Sequence, residues 1–202
     1  MILPNDTAYK LPVVVYDACV LYPFNLRNVL IQCAYEGLVQ AHWSDDIHDE
    51  WIRNILERDT GVQRDRLERT RDLMDNAVPD AKVDGFHHLI PNLQLNDPDD
   101  RHVLALAIHC KADCIVSADR GFTNVVLAPH NLKVHRPSGF LSALYQSDPE
   151  AVISAVKGAR LNLTKKPVPV VEFIERLRKC DVGGFCDLLE KHVDEDWETP
   201  GA

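Results

Sequence analysis

Three features of the sequence predict an α/β layer fold with a central, mainly parallel sheet. Residues 11–16 (LPVVVY) and 114–117 are short, unbroken apolar runs, the pattern of strands buried on both faces. Strands alternate with amphipathic helices up to about residue 136. Each apolar run is followed closely by an aspartate, Asp17 and Asp119. In open α/β sheets that C-terminal strand edge is where ligands bind.

After the first strand, Leu26, Val29, Leu30, Cys33 and Ala34 recur at helical spacing, and Gly37 supplies a stop, so a helix is expected over 25–36. Ser44 reads as an N-cap with Asp45 and Asp46 in the favourable first turn, and Ile47, Trp51 and Ile55 form the stripe of that helix. A charge-mixed helix is expected over 62–76 and ends at Pro79; residues 83–90 form a connection with a short strand. The run NDPDD (96–100) opens the next helix, with Asp97 as N-cap, Pro98 in the first turn and Val103, Leu104, Ala107 and Ile108 as the stripe. Strands are further expected at 125–127 and 132–135.

From Pro137 the pattern becomes all-helical, with helices expected over 139–145, 149–159, 170–179 and 184–192, and with Lys165, Lys166 and Pro167 as a linker. The expected division is 1–136 as the α/β domain, 137–193 as a helical C-terminal extension, and 194–202 as an acidic, mobile tail.

Composition narrows the function. The chain has 202 residues, 46% apolar and 26% charged, in the range of folded globular proteins. No apolar run approaches the roughly 20 residues that cross a bilayer, and residues 1–10 lack a secretory pattern, so a cytoplasmic protein with no membrane partner is expected. Six cysteines without a CxxC pair read as reduced packing residues. His109, Cys110 and Cys114 have no second ligand pair, so no zinc site is expected there. A net charge of −9 argues against a broad basic nucleic-acid face. It suits acids gathered where metal ions reverse the local sign.

Four carboxylates stand out. Asp17 and Asp119 close two strands. Asp100 lies three, four and seven residues before Val103, Leu104 and Ala107, on the inward helix face, and Glu50 lies three residues after Ile47. Inward carboxylates are costly unless paired, and four of them without a basic partner repel. A hard divalent cation, Mg²⁺ or Mn²⁺, resolves this with oxygen ligands. Taken singly, Asp97, Asp99 and Asp100 also fit a helix start, and Asp17 a turn.

Three segments carry a resemblance: VVVYDACVLYP (13–23), WSDDIHDEWIRNIL (43–56) and NDPDDRHVLALAIHCKADCIVSADRGF (96–122). Together they resemble the PIN-domain nucleases, and most of all the VapC-type toxins of bacterial toxin–antitoxin pairs. The likeness covers about two-thirds of the chain, in the family order. It implies a PIN-like three-layer sandwich and a metal-dependent endoribonuclease. The family's metal-binding acids match Asp17, Glu50, Asp100 (in Asp-x-x-Val-x-Ala) and Asp119, the last following a strand that ends in Ser117. Many relatives have Asn where this chain has Cys19, and some have Asn at the fourth acidic position. The extension resembles that of one VapC subgroup. The resemblance further implies an RNA substrate, a small antitoxin protein and a homodimer through the early helices.

Beside the acids, Ser117 is a candidate to bind a ligand carboxylate or a phosphate, and Arg27, Arg101 and Arg120 are candidate phosphate grips. His102 adjoins Asp100 but sits one position off the inward stripe. Lys157, Arg160, Lys165, Lys166, Arg176, Arg178 and Lys179 give the extension a basic excess that suits an RNA path. An aspartyl-phosphate phosphatase needs a second Asp where Cys19 stands. A receiver-like domain needs a buried Lys, for which Lys133 is poorly placed. A non-catalytic PIN-fold RNA-binding or scaffolding module remains the other alternative.

Overall fold

The computed structural model describes residues 10–162, 168–193 and 197. Four parallel strands form one sheet in the order β2-β1-β3-β4: β1 (Val13–Tyr16), β2 (Gln40–His42), β3 (Cys114–Val116) and β4 (Lys133–His135). The two central strands are the two apolar runs, buried along their whole length. The edge strand β2 has no such signature. Its sequence is only QAH, and it exists because Val13, Val14 and Val15 of β1 offer it a ladder. The short strand expected within 83–90 reduces to a single bridge between Trp43 and Lys82, followed by a 3-10 turn at His87–Asn92.

A four-residue helix, α1 (Ala18–Leu21), follows β1 directly and leads into α2 (Phe24–Tyr35). Helix α2 buries the predicted stripe and ends at Gly37, whose φ of 73° needs a residue without Cβ. Helix α3 (Asp45–Arg58) starts at Ser44, whose hydroxyl accepts the Ile47 amide at 3.3 Å. A buried polar latch joins it to α4 (Arg64–Ala77). The Trp51 indole donates to His48 Nδ1 at 3.0 Å, which puts the ring proton on Nε2, facing Asp75 Oδ1 at 3.0 Å. The Trp43 indole donates to the same Asp75 oxygen at 2.8 Å.

Helix α5 (Arg101–His109) packs on β1 and β3 and begins later than the sequence suggests. Asp97 is not its N-cap; its Oδ1 accepts the Asp99 amide at 2.9 Å and closes a turn instead. Asp100 takes the N-cap position, but its side chain makes no capping bond. The strand expected at 125–127 is also corrected. Thr123 accepts the Val126 amide at 3.3 Å and starts a short helix, α6 (Asn124–Leu127).

The C-terminal region comprises α7 (Pro137–Ser147), α8 (Pro149–Leu161), α9 (Val170–Arg178) and α10 (Gly183–Leu189). Helix α8 lies against α2, and α7 packs on α8 and α10. The linker residues Lys165, Lys166 and Pro167 lie outside the described residues, as do Asp194, Glu195, Asp196 and Glu198. Trp197, expected in a mobile tail, is buried instead; its carbonyl accepts from Arg160, and Lys157 Nζ lies 5.4 Å from its ring centre. Three of the residues behind the expected basic excess are already engaged. Arg160 is buried, Arg176 pairs with Glu172 at 2.6 Å, and Arg178 pairs with Asp187 at 2.7 Å and Glu190 at 2.8 Å.

Candidate metal centre

The parallel sheet sends β1 and β3 out at the same edge, side by side, because Tyr16 pairs with Val116. Asp17 is the first residue beyond β1, and its amide still bonds Val116 O at 3.2 Å. Asp17 is almost fully buried, at 3% exposure. Two donors reach Oδ2 of its carboxylate: Ser117 Oγ at 2.6 Å and Cys19 Sγ at 2.9 Å. Two bonds on one oxygen fix the rotation of the group. Ser117 in turn accepts the Asp119 amide at 2.9 Å, and Cys19 Sγ accepts the Ala118 amide at 3.1 Å. Burial, and then the neighbouring Asp17, push the Cys19 thiol pKa up. Cys19 therefore acts as a neutral donor to the first acid rather than as an apolar packing residue.

Asp100 and Glu50 approach from α5 and α3. The pKa of Glu50 is raised to about 7, chiefly by burial and then by Asp17, Asp100 and Asp119; nearby Arg53 opposes the shift. That of Asp100 is likewise raised to about 7, by burial and then by Asp17, Asp119, Asp97 and Asp99. The four predicted acids thus sit within one another's electric field. Among the described residues, no three of them close to the spacing of a finished metal shell. The donor set is nonetheless all carboxylate oxygen, which suits a hard divalent ion. Gly121 keeps the space open. A Cβ there would stand 2.9 Å from Asp119 Oδ1 and 3.5 Å from Asp100 Oδ2.

His102 comes closer to the site than its position in the helical stripe suggests. Its Nδ1 lies 2.7 Å from Asp99 O and so carries a proton, while Nε2 lies 3.4 Å from Glu50 Oε2 without hydrogen-bond alignment. The three candidate arginines separate. Arg120 is exposed next to Asp119, and Arg101 bonds Pro98 O at 2.9 Å through Nε. Arg27 is no phosphate grip: it is 3% exposed, donates to Leu21 O at 2.6 Å and lies 4.6 Å over the Trp51 ring. Burial lowers its pKa to about 10. It is close to the site in sequence, but helix α2 turns it into the core.

Arg136 and Gly121 were missed. Arg136 follows β4 and donates to the carbonyls of Ser117, Asp119 and Phe122, the last at 3.4 Å. A groove of about 560 Å³ between α2, α4 and α8 holds none of the four acids; Phe24, Ile31, Tyr35 and Leu73 are among its walls.

The PIN-domain family model matches residues 13–121, a span that contains all four acids and Gly121. A second model, the VapC50 C-terminal domain, matches residues 137–191. Comparison with curated proteins gives no match, and comparison with solved structures gives none. With more than half of its length matched by the first model, the chain belongs to the PIN-domain family of nucleases, here followed by a C-terminal domain of the VapC50 kind.

Proposed function

We propose that this protein is a metal-dependent endoribonuclease, the toxin of a toxin–antitoxin pair, with Asp17, Glu50, Asp100 and Asp119 holding Mg²⁺ or Mn²⁺. The observation that carries the reading is the convergence of four carboxylates, two of them with pKa values raised to about 7, beside the edge of a parallel sheet. An unneutralised acidic cluster repels a phosphodiester, so the site serves an RNA only when a cation offsets its charge. A bound divalent ion supplies Lewis-acid polarisation and an activated water. The residues of the chain do the rest. Ser117 and Cys19 lock the Asp17 carboxylate, Asp100 is left free by its missing cap bond, and Glu50 lies 3.4 Å from His102 Nε2. Arg101 and Arg120 are the remaining candidate phosphate grips from the sequence.

The partners that follow are RNA, a small antitoxin that covers the acids, and a second copy of the chain through the early helices. No helix among the described residues is long and apolar enough to cross a membrane. The direct test incubates purified protein with RNA in Mn²⁺ or in chelator, for wild type and Asp17→Asn. Cleavage confined to wild type with metal is the expected result. Intact RNA with wild type and Mn²⁺, together with unimpaired growth on expression of the chain alone, would reject the reading.

A further inference from the structure

We propose that Arg136, the residue between β4 and α7, is a positioning residue that holds the loop carrying Asp119; the proposal rests on the nuclease reading above. The sheet register brings it there. Val116 pairs with His135, and the Ser117 amide bonds His135 O at 3.1 Å, so the residue just after β4, Arg136, comes to lie beside Ser117 where β3 ends. Pro137 follows. It keeps Arg136 extended, with φ −71° and ψ 147°, and its ring nitrogen has no hydrogen to prolong the ladder.

From this point the guanidinium reaches over the loop and gathers three carbonyls: Ser117 O at 2.9 Å, Asp119 O, and Phe122 O at 3.4 Å. A planar fork presents donors in fixed directions from two nitrogens to oxygens spread along one curved segment, whereas an ammonium offers its three donors from a single atom. The amides of the same loop are tied by side chains. The Ala118 amide bonds Cys19 Sγ, the Asp119 amide bonds Ser117 Oγ, and the Gly121 amide bonds Asp119 Oδ1. One amide is held by Cys19 from beyond β1 and two by the segment's own side chains, Ser117 and Asp119, while the carbonyls are held by Arg136. Arg136 is also the N-cap position of α7, the first helix of the region matched as the C-terminal domain, so it stands where that region begins and contacts the Asp119 loop.

The test compares wild type, Arg136→Ala and Arg136→Lys by three readouts, with melting curves to verify folding. The first is backbone amide exchange of residues 118–122 in chelator, which needs neither metal nor RNA. The second is Mn²⁺ affinity from titration of free Mn²⁺. The third is kcat and KM on an RNA substrate. Loss of a supporting residue behind metal ligands weakens metal binding or turnover on the order of 10- to 100-fold. We expect that loss in Mn²⁺ affinity and kcat for Arg136→Ala, with KM for RNA little changed and faster exchange at 118–122. Arg136→Lys should stay impaired, since charge alone does not replace the fork; it also serves if the alanine variant does not fold. Unchanged exchange in both variants, a loss confined to KM, or full recovery by lysine would overturn the proposal. Wild-type protein that leaves RNA intact would reject the nuclease reading, while exchange would still decide the role of Arg136.

Discussion

Ser117 Oγ donates to Asp17 Oδ2 at 2.6 Å across 100 positions of sequence, and the same hydroxyl oxygen accepts the Asp119 amide at 2.9 Å. One hydroxyl thus links two of the four acids: it fixes the carboxylate of the first and the backbone of the last. Its single proton is committed to Asp17, and its lone pairs remain for the amide.

Ser117→Ala should therefore cost both stability and activity. It leaves a buried carboxylate with one donor fewer and a backbone amide without its acceptor, a loss of about 1–3 kcal/mol by melting or denaturant titration. RNA cleavage should fall more steeply than for Ser117→Thr, which keeps the hydroxyl. Equal activity of the alanine and threonine variants would contradict this role.

The raised pKa values of Glu50 and Asp100, each about 7 in the metal-free fold, set a pH trend. Ordinary carboxylates titrate at roughly 4. A carboxyl whose folded pKa is raised holds its proton more tightly in the fold than in the unfolded chain. It therefore weakens the fold progressively as pH rises from roughly 4 through the folded value. In chelator, Asp100→Asn should be more stable than wild type at pH 8, with a smaller difference at pH 5. Comparing the two proteins isolates the cluster from His48, whose pKa burial holds below 6.5 and whose trend has the opposite sign. A mutant less stable than wild type at pH 8, with an undiminished Mn²⁺-induced rise in melting temperature, would exclude Asp100 from the metal set.

Gly121→Ala should leave the fold nearly intact and reduce activity. The new Cβ would stand 2.9 Å from Asp119 Oδ1, so the carboxylate must swing away from its place near Asp100. The decisive comparison is Mn²⁺ affinity against melting temperature. Affinity should drop while melting in chelator barely moves. Retained Mn²⁺ affinity would mean that Asp119 does not share the ion.

The arginines should divide. Arg27→Ala should destabilise by more than about 2 kcal/mol, because it leaves the buried Leu21 carbonyl without its donor and the Trp51 face without its cation. Its KM for RNA should stay near the wild-type value. Arg120→Ala, exposed beside Asp119, should do the reverse: unchanged melting and a raised KM whose excess over wild type shrinks as salt is added. A raised KM for a well-folded Arg27 variant would reverse this assignment.

Much of the architecture was legible in the sequence because its signals are local and redundant. The valines of β1, the Ser44 cap and the Gly37 stop each follow from a few neighbouring residues, and all are found where expected. The same locality misled at Asp97, where a turn bond outcompeted the cap, and at 125–127, where Thr123 started a helix in a run of β-branched residues. β2 carried no signal because an edge strand takes its conformation from its partner.

By itself, the sequence determined which acids the chain carries, the strand ends and helix faces they occupy, and the family they belong to. Only the tertiary structure decided what surrounds them. The core position of Arg27, the thiol of Cys19 on Asp17, the grip of Arg136 on the Asp119 loop and the approach of His102 to Glu50 join residues distant in sequence. Burial and hydrogen bonding are properties of space rather than of chain order. A charge that reads as a surface group in one dimension becomes a core cation or a loop clamp once the sheet register and helix packing fix its neighbours.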